Sequence, residues 1–306
     1  MTVDLSVGAA QGRASPAPNR HNARALETDA RSERLRILGL SLPSLLLVTV
    51  LLLIPVGWLF GLSFVKRGAF SLDHYLRMVE HSSYLAIFQT TFSLSILVTV
   101  LCVLLGYPVA YLLAQLPRRW ATIGMALVIL PFWTSLLVRT YAWLVLLQRT
   151  GVINTTLISA GIIDEPLQLV HNYTGTVIGM THIMLPFLIL PLYASIKAID
   201  TDYVRAAANL GASPTQAFLK IFLPLSLPGL IAGALLVFII CLGFYVTPQI
   251  LGGGRVTTVS MKIQQNIGVY FDWGAGSALG VALLVFVGIT FFVAHRLAGI
   301  ERMFKG

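Results

Sequence analysis

Charge is scarce in this chain. Only 11% of its 306 residues are Asp, Glu, Lys or Arg, 57% are hydrophobic, and the mean hydropathy is +0.83. That balance excludes a soluble globular domain and defines an integral membrane protein. Cysteine is almost absent: Cys102 and Cys241 both lie inside apolar runs, and with no clustered His or Cys spacing they support neither a disulfide framework nor a metal site. They read as small core residues. Carboxylates are missing from the apolar blocks, since all twelve Asp and Glu residues fall in tails or loops, among them Asp73, Glu80, Asp164, Glu165 and Asp272. A phosphate-binding loop is missing too. Gly252-Gly253-Gly254-Arg255 lacks the G-x4-G-K-[ST] spacing, so any energy from ATP must come from a separate subunit. No catalytic cluster sits at one depth, which argues against a membrane-bound enzyme.

What is present is long apolar sequence. Blocks run from about Ile37 to Phe64, Ala86 to Leu116, Ala121 to Leu147, Thr174 to Ile196, Ile221 to Leu251 and Ala275 to Leu297. Each exceeds the roughly 20 residues an α-helix needs to cross the hydrocarbon core. The expectation is an all-α membrane protein with six transmembrane helices. Prolines inside the blocks (Pro55, Pro108, Pro131, Pro186, Pro191, Pro228, Pro248) predict kinks, tolerated where neighbours satisfy the freed carbonyls. Residues 1–36 are polar, contain Pro16 and Pro18 and lack apolar periodicity, so they predict a disordered tail ahead of a six-helix transmembrane domain over 37–306. No short apolar core with a small-residue cleavage site marks a signal peptide.

A net charge of +9 suggests nucleic acid at first sight, but the basic residues follow the loops and one tail rather than a face. Counting them in alternate segments gives 14 on the side of the N-terminal tail, the second-to-third loop, the fourth-to-fifth loop and the C-terminus, against 6 on the other. The positive-inside rule therefore predicts both termini in the cytoplasm. It places there the one polar island between long apolar blocks, Asp202 to Pro224 (DYVRAAANLGASPTQAFLKIFLP), within a loop over 197–220. In that island Asp200, Thr201 or Asp202 can cap a helix ending near Leu210, Gly211 can end it in the left-handed region, and Ser213-Pro214 can start a second helix.

The island resembles the EAA motif of binding-protein-dependent ABC importer permeases, E-A-A-x3-G-x9-I-x-L-P. Ala206, Ala207, Gly211, Ile221, Leu223 and Pro224 match six of its seven positions, and Arg205 stands where the motif has Glu. The resemblance implies a type I importer permease fold, with this loop seated in a cleft of an ATPase subunit that binds the ATP. A second permease subunit would complete the pathway and a periplasmic solute-binding protein would deliver the solute, in a bacterial inner membrane. Beyond the motif, LPFWTSLLVRTYAWLVLLQRTGVIN (Leu130 to Asn154) and GFYVTPQILGG (Gly243 to Gly253) look like the spermidine/putrescine branch of these permeases, a likeness covering about Ala86 to Leu297. Some members of that branch carry Glu where Phe244 stands. With no acid inside its spans, a chain of this kind would leave recognition of a polycation to the binding protein.

Candidate pathway residues are Arg139, Tyr141, Phe244 and Tyr245. Arg139 is a costly charge inside an apolar block, so it either helps gate the pathway or bonds carbonyls at a helix break and snorkels outward. Phe244 and Tyr245 could line a vestibule that holds a cation over their rings, or belong to an interfacial aromatic belt. His182 reads as a proton-relay residue or as a packing histidine. Asn154-Thr155-Thr156 and Asn172-Tyr173-Thr174 match the glycosylation pattern. Among other functions, an importer permease for an opine, a quaternary amine, a phosphonate or an iron complex fits the same motif. A secondary transporter would need inverted repeats and intramembrane ionisable pairs, and only Arg139 and His182 are present.

Overall fold

The computed structural model describes residues 20–66 and 68–303, with side chains over 39–66, 68–294 and at 296. Two units are distinguished, residues 1–58 and 59–306. The first holds most of helix α1 (Arg20–Leu62), whose stretch Gly39–Leu62 has a mean hydropathy of 2.6 and exposes its apolar side chains. The helix begins well before the apolar block. Arg20 to Arg36, expected to be disordered, contains neither Pro nor Gly and is rich in Ala, Leu, Arg and Glu, all of which propagate helix. Residues 1–19 of the expected tail lie outside the described residues.

The second unit starts with a small hairpin, β1 (Val65–Lys66) paired antiparallel with β2 (Ala69–Phe70), followed by α2 (Asp73–Glu80). Lys66 Nζ donates to Asp73 Oδ2 at 2.7 Å across this junction, and the lysine holds the Asp73 carboxyl below the usual aspartate range. The core is built by α3 (Ser82–Gln115), α7 (Tyr173–Lys197) and α10 (Leu223–Leu242). On α7 one stripe, Met180, Met184, Leu188 and Leu192, is fully buried at a four-residue spacing. Both neighbours meet that stripe with small residues. A Cβ on Gly233 would sit 3.0 Å from the Leu188 carbonyl, and one on Gly229 2.2 Å from Ser195 Cβ. This Gly-x3-Gly pair lets α10 approach the backbone of α7, the usual means of helix association in lipid. Across from it α3 presents Cys102, Gly106 and Ala110, and both cysteines are buried and free.

Among the described residues, five helical stretches are long and apolar enough to span a membrane: 39–62, 82–115, 173–197, 214–242 and 273–294. The number becomes six if one bent pair forms a single span. That pair corrects the third predicted span. Instead of one helix over 121–147 there is α4 (Arg118–Ile129), a tight 3-10 turn at Leu130–Trp133, and then α5 (Leu136–Leu147) and α6 (Val152–Ser159). The two arms are bent by 98°. Pro131 removes a backbone donor at the turn, and Thr134 and Ser135 adopt extended ψ values of 147° and 141° that end the first arm. The fifth predicted span is corrected as well: the long helix stops at Leu242. After Gly243 to Tyr245 a separate short helix, α11 (Val246–Leu251), packs back on α5 and α7. The chain then forms α12 (Val259–Gly268) and α13 (Trp273–Met303).

Candidate functional site

The polar island folds as two short helices. Asp200 caps α8 (Thr201–Asn209), its Oδ1 accepting from the Asp202 N–H at 2.9 Å. The C-terminus closes by paired bonds, Ala212 N–H to the Ala207 carbonyl and Gly211 N–H to the Ala208 carbonyl, both 3.0 Å. Gly211 has φ +84°, the left-handed value such a closure demands, and a Cβ there would meet nothing within 4 Å. Ser213 then caps α9 (Pro214–Ala217) through a reciprocal pair: Ser213 Oγ accepts from Gln216 N–H at 3.3 Å, and Gln216 Oε1 accepts from Ser213 N–H at 3.0 Å. One wider turn over Phe218–Phe222 joins α9 to α10. The turn between the two helices is thus closed by the island's own caps.

Its faces differ. Ala207 is buried, 6% exposed, and Ala217 is buried beside it, while Arg205, Ala206, Ala208 and Pro224 are exposed. Ile221 and Leu223 are half-buried. At the tip Leu210 is 88% exposed, an apolar side chain offered to something other than this unit. Arg205 pairs with Asp202 at 3.4 Å, one turn away, and both side chains remain open to solvent. A recess of about 610 Å³ separates α8 from the ends of α3 and α7, with Tyr111, Lys197, Arg205 and Phe218 in its walls.

Four aromatic residues that sequence reasoning passed over tie the island to the membrane helices. The Phe218 and Phe222 rings stack at 5.7 Å. Tyr111 on α3 sits edge-on to both, at 5.7 and 5.2 Å, and Tyr107 reaches Phe218 at 6.3 Å. The Tyr107 hydroxyl lies 2.9 Å from Ser226 Oγ, which donates to the Leu223 carbonyl. Lys197 at the end of α7 donates to the Ala114 carbonyl of α3 at 2.8 Å. The available signal was the i,i+4 spacing of both aromatic pairs, which puts each pair on one helix face.

Of the candidate pathway residues, Arg139 and Tyr141 lie on α5, and Phe244 and Tyr245 lie at the break before α11, which packs on α5. Arg139, on α5 just after the bend, is half-buried. The His182 ring packs edge-on against Trp143, one turn along from Arg139, at 5.4 Å. Arg139 Nε and His182 Nδ1 are buried without a hydrogen-bond partner among the described residues. Tyr141 is exposed on another face of α5. Phe244 packs against the main core and Tyr245 sits at the start of α11, at the break that ends α10. The two glycosylation patterns have structural uses: Asn154 is fully buried, tying the Gln148 and Leu167 carbonyls together, and Asn172 caps α7.

Several helices long and apolar enough to span a membrane, a broken third span, and a self-capped helix pair between two spans define a membrane-embedded protein. Residues 103–299 match the family model described as binding-protein-dependent transport system inner membrane component, and the chain belongs to that family. It is 35% identical over 234 residues to the spermidine/putrescine transport system permease protein PotB of Escherichia coli K12, covering 76% of this chain and 84% of that one. To PotB of Haemophilus influenzae it is 33% identical over 250 residues, covering 80% and 87%. In structure it is similar to a chain of a bacterial alginate ABC transporter solved in complex with an alginate pentasaccharide-bound periplasmic protein, with a TM-score of 0.68, 17% identity, and 89% and 96% of the two chains covered. The fold is that of a type I importer permease.

Proposed function

We propose that this chain is the transmembrane permease subunit of an ATP-binding-cassette importer that carries a polyamine of the spermidine/putrescine class into the cytoplasm. ATP is bound and hydrolysed by a separate subunit, and this chain catalyses no reaction. The observation that carries the coupling role is the island at 201–217: self-capped, exposed at Leu210, and joined through Phe218 and Phe222 to Tyr107 and Tyr111. A push on α8 and α9 by an ATPase subunit reaches α3 and α10 through packed rings rather than through a flexible linker. In this reading the island and both termini face the cytoplasm, as the basic-residue asymmetry predicts, and a second permease subunit completes the pathway. The names of the relatives support the substrate class. Because no carboxylate lies in the spans and Arg139 is a cation, a periplasmic binding protein supplies the recognition of the polycation, and Phe244, Tyr245 and Tyr141 offer a weak aromatic route.

The test is reconstitution of the chain with ATPase subunits, the second permease and the binding protein in proteoliposomes. ATP-dependent uptake of spermidine or putrescine is expected, with none when the ATPase is omitted. Transport by the chain alone would reject the importer reading. ATP-driven uptake of an opine, a quaternary amine, a phosphonate or an iron complex, with no polyamine uptake, would overturn the substrate class. Tight polyamine binding to the isolated chain would overturn the assignment of recognition to the binding protein.

A further inference from the structure

A groove of about 650 Å³ opens between α4 and α7; Met125 and Tyr193 of its lining also pack on the cluster that holds Phe222, and Lys197 borders the recess beside α8 as well. Its floor and one wall are apolar: Met125, Ala126 and Ile129 line it along α4, and Tyr193 closes it from α7. One end is basic. Arg118 is the first residue of α4, Lys197 is the last of α7, and both stand at the groove. No Asp or Glu lines it, and neither cation has an ion-pair partner among the described residues. Lys197 gives one donor to the Ala114 carbonyl, which fixes the position of its ammonium and leaves two donors free.

The depth of this groove follows from the helices themselves. Lys197 closes a 25-residue spanning helix, and Arg118 follows the turn at Pro117 that ends the 34-residue α3. Both cations therefore sit where apolar sequence gives way to water. Trp120, 63% exposed in the same first turn of α4, is the kind of residue that settles at the headgroup level. From there the apolar wall runs along α4 into the hydrocarbon. A single molecule whose anionic end meets two cations at the interface and whose tail follows an apolar wall inward is an anionic phospholipid. We propose that the α4–α7 groove is a binding site for an anionic phospholipid, with the headgroup phosphate between Arg118 and Lys197 and an acyl chain along Met125, Ala126 and Ile129. The arrangement does not depend on which leaflet this end of the bundle faces, nor on the solute transported. Because α4 is the first arm of the broken span, the lipid braces that arm against α7.

The test uses the assembled transporter purified in detergent, with retained lipid counted by native mass spectrometry after exchange into mixed phosphatidylglycerol and phosphatidylcholine micelles. Wild type is expected to retain phosphatidylglycerol in preference to phosphatidylcholine. A near-surface cation is worth about fivefold in affinity for an anionic lipid, so Arg118→Gln with Lys197→Gln is expected to lower retention by roughly 25-fold. Ala126→Trp, which fills the groove and leaves both cations in place, is expected to abolish retention. Arg119→Gln, beside the groove but not in its lining, is expected to leave retention unchanged. Equal retention of the two lipids, unchanged retention in the double variant, or an equal loss in Arg119→Gln would overturn the site. Competition by free glycerol phosphate as strong as that by the intact lipid would make it a phosphate site and not a lipid site. A photoreactive residue at position 126 that cross-links the second permease subunit rather than lipid would make the groove a subunit interface and defeat the proposal.

Discussion

Replacing Gly211 separates the geometry of the coupling island from its mere presence. At φ +84° an alanine has room, since its Cβ would meet no atom within 4 Å, so the cost is backbone strain alone, about 1–2 kcal/mol. Asparagine visits the left-handed region more readily and costs less. Proline cannot comply, because its ring holds φ near −65°, about 150° from the observed value. It also removes the donor that bonds the Ala208 carbonyl and, by turning the chain, breaks the bond from Ala212 to Ala207. Two closures worth about 1 kcal/mol each are lost, and α9 leaves α8 in a new direction. In proteoliposomes holding the complete transporter, ATP hydrolysis and solute uptake are measured on the same vesicles. Gly211→Asn and Gly211→Ala are expected to transport close to wild type, while Gly211→Pro continues to hydrolyse ATP with uptake reduced at least tenfold. Wild-type uptake in the proline variant would refute the reasoning, and so would an alanine variant as defective as proline.

Arg205→Glu is expected to have little effect on uptake, because the Arg205–Asp202 pair is open to solvent and contributes little; a severe defect would mean that the ATPase cleft reads the cation. Phe222→Ala removes a buried ring together with its contacts to Tyr111 and Phe218, so thermal unfolding should show a loss of about 3 kcal/mol. The same variant should lower uptake per ATP hydrolysed. Arg139→Ala is expected to reduce uptake with assembly intact, and unchanged transport would remove Arg139 from the pathway. The Lys66–Asp73 bond depresses the Asp73 carboxyl, so its contribution is complete above the ordinary aspartate value of about 3.9 and is lost as pH falls from there through the folded value. Hydrogen-exchange protection over residues 65–80, corrected for the pH dependence of the intrinsic rate, should therefore be constant at neutral pH and fall only in that acid window, and Asp73→Asn should erase the step.

Much of the island was legible in advance because its structure is local. Caps at Asp200 and Ser213 and the left-handed turn at Gly211 depend on residues within a few positions of one another, so their chemistry is written in order along the chain. Membrane residence, and a span number of five or six, were legible for a similar reason, being properties of continuous apolar length. The bend at Thr134-Ser135 and the break at Gly243 to Tyr245 were not. A hydropathy window sees the same composition on both sides of a break, and the prolines that permit it also occur inside unbroken helices such as α7, which carries Pro186 and Pro191.

What the sequence determined by itself was the solvent of the protein, the boundaries of most spans and the fold of one motif, since each follows from nearest neighbours or from summed transfer free energy. Only the tertiary structure decided which surfaces meet. Cys102, Gly106 and Ala110 on α3 and Gly229 and Gly233 on α10 became the close faces of α7, and Tyr107 and Tyr111 became partners of rings more than a hundred residues away. It also set Trp143, one turn from Arg139, against His182 and left Tyr141 exposed on another face of α5, although Arg139 and Tyr141 had both been candidates for one pathway. The physical reason is that helix packing depends on rotation about each axis and on the closeness small residues allow, and neither quantity is carried by hydrophobicity along the chain.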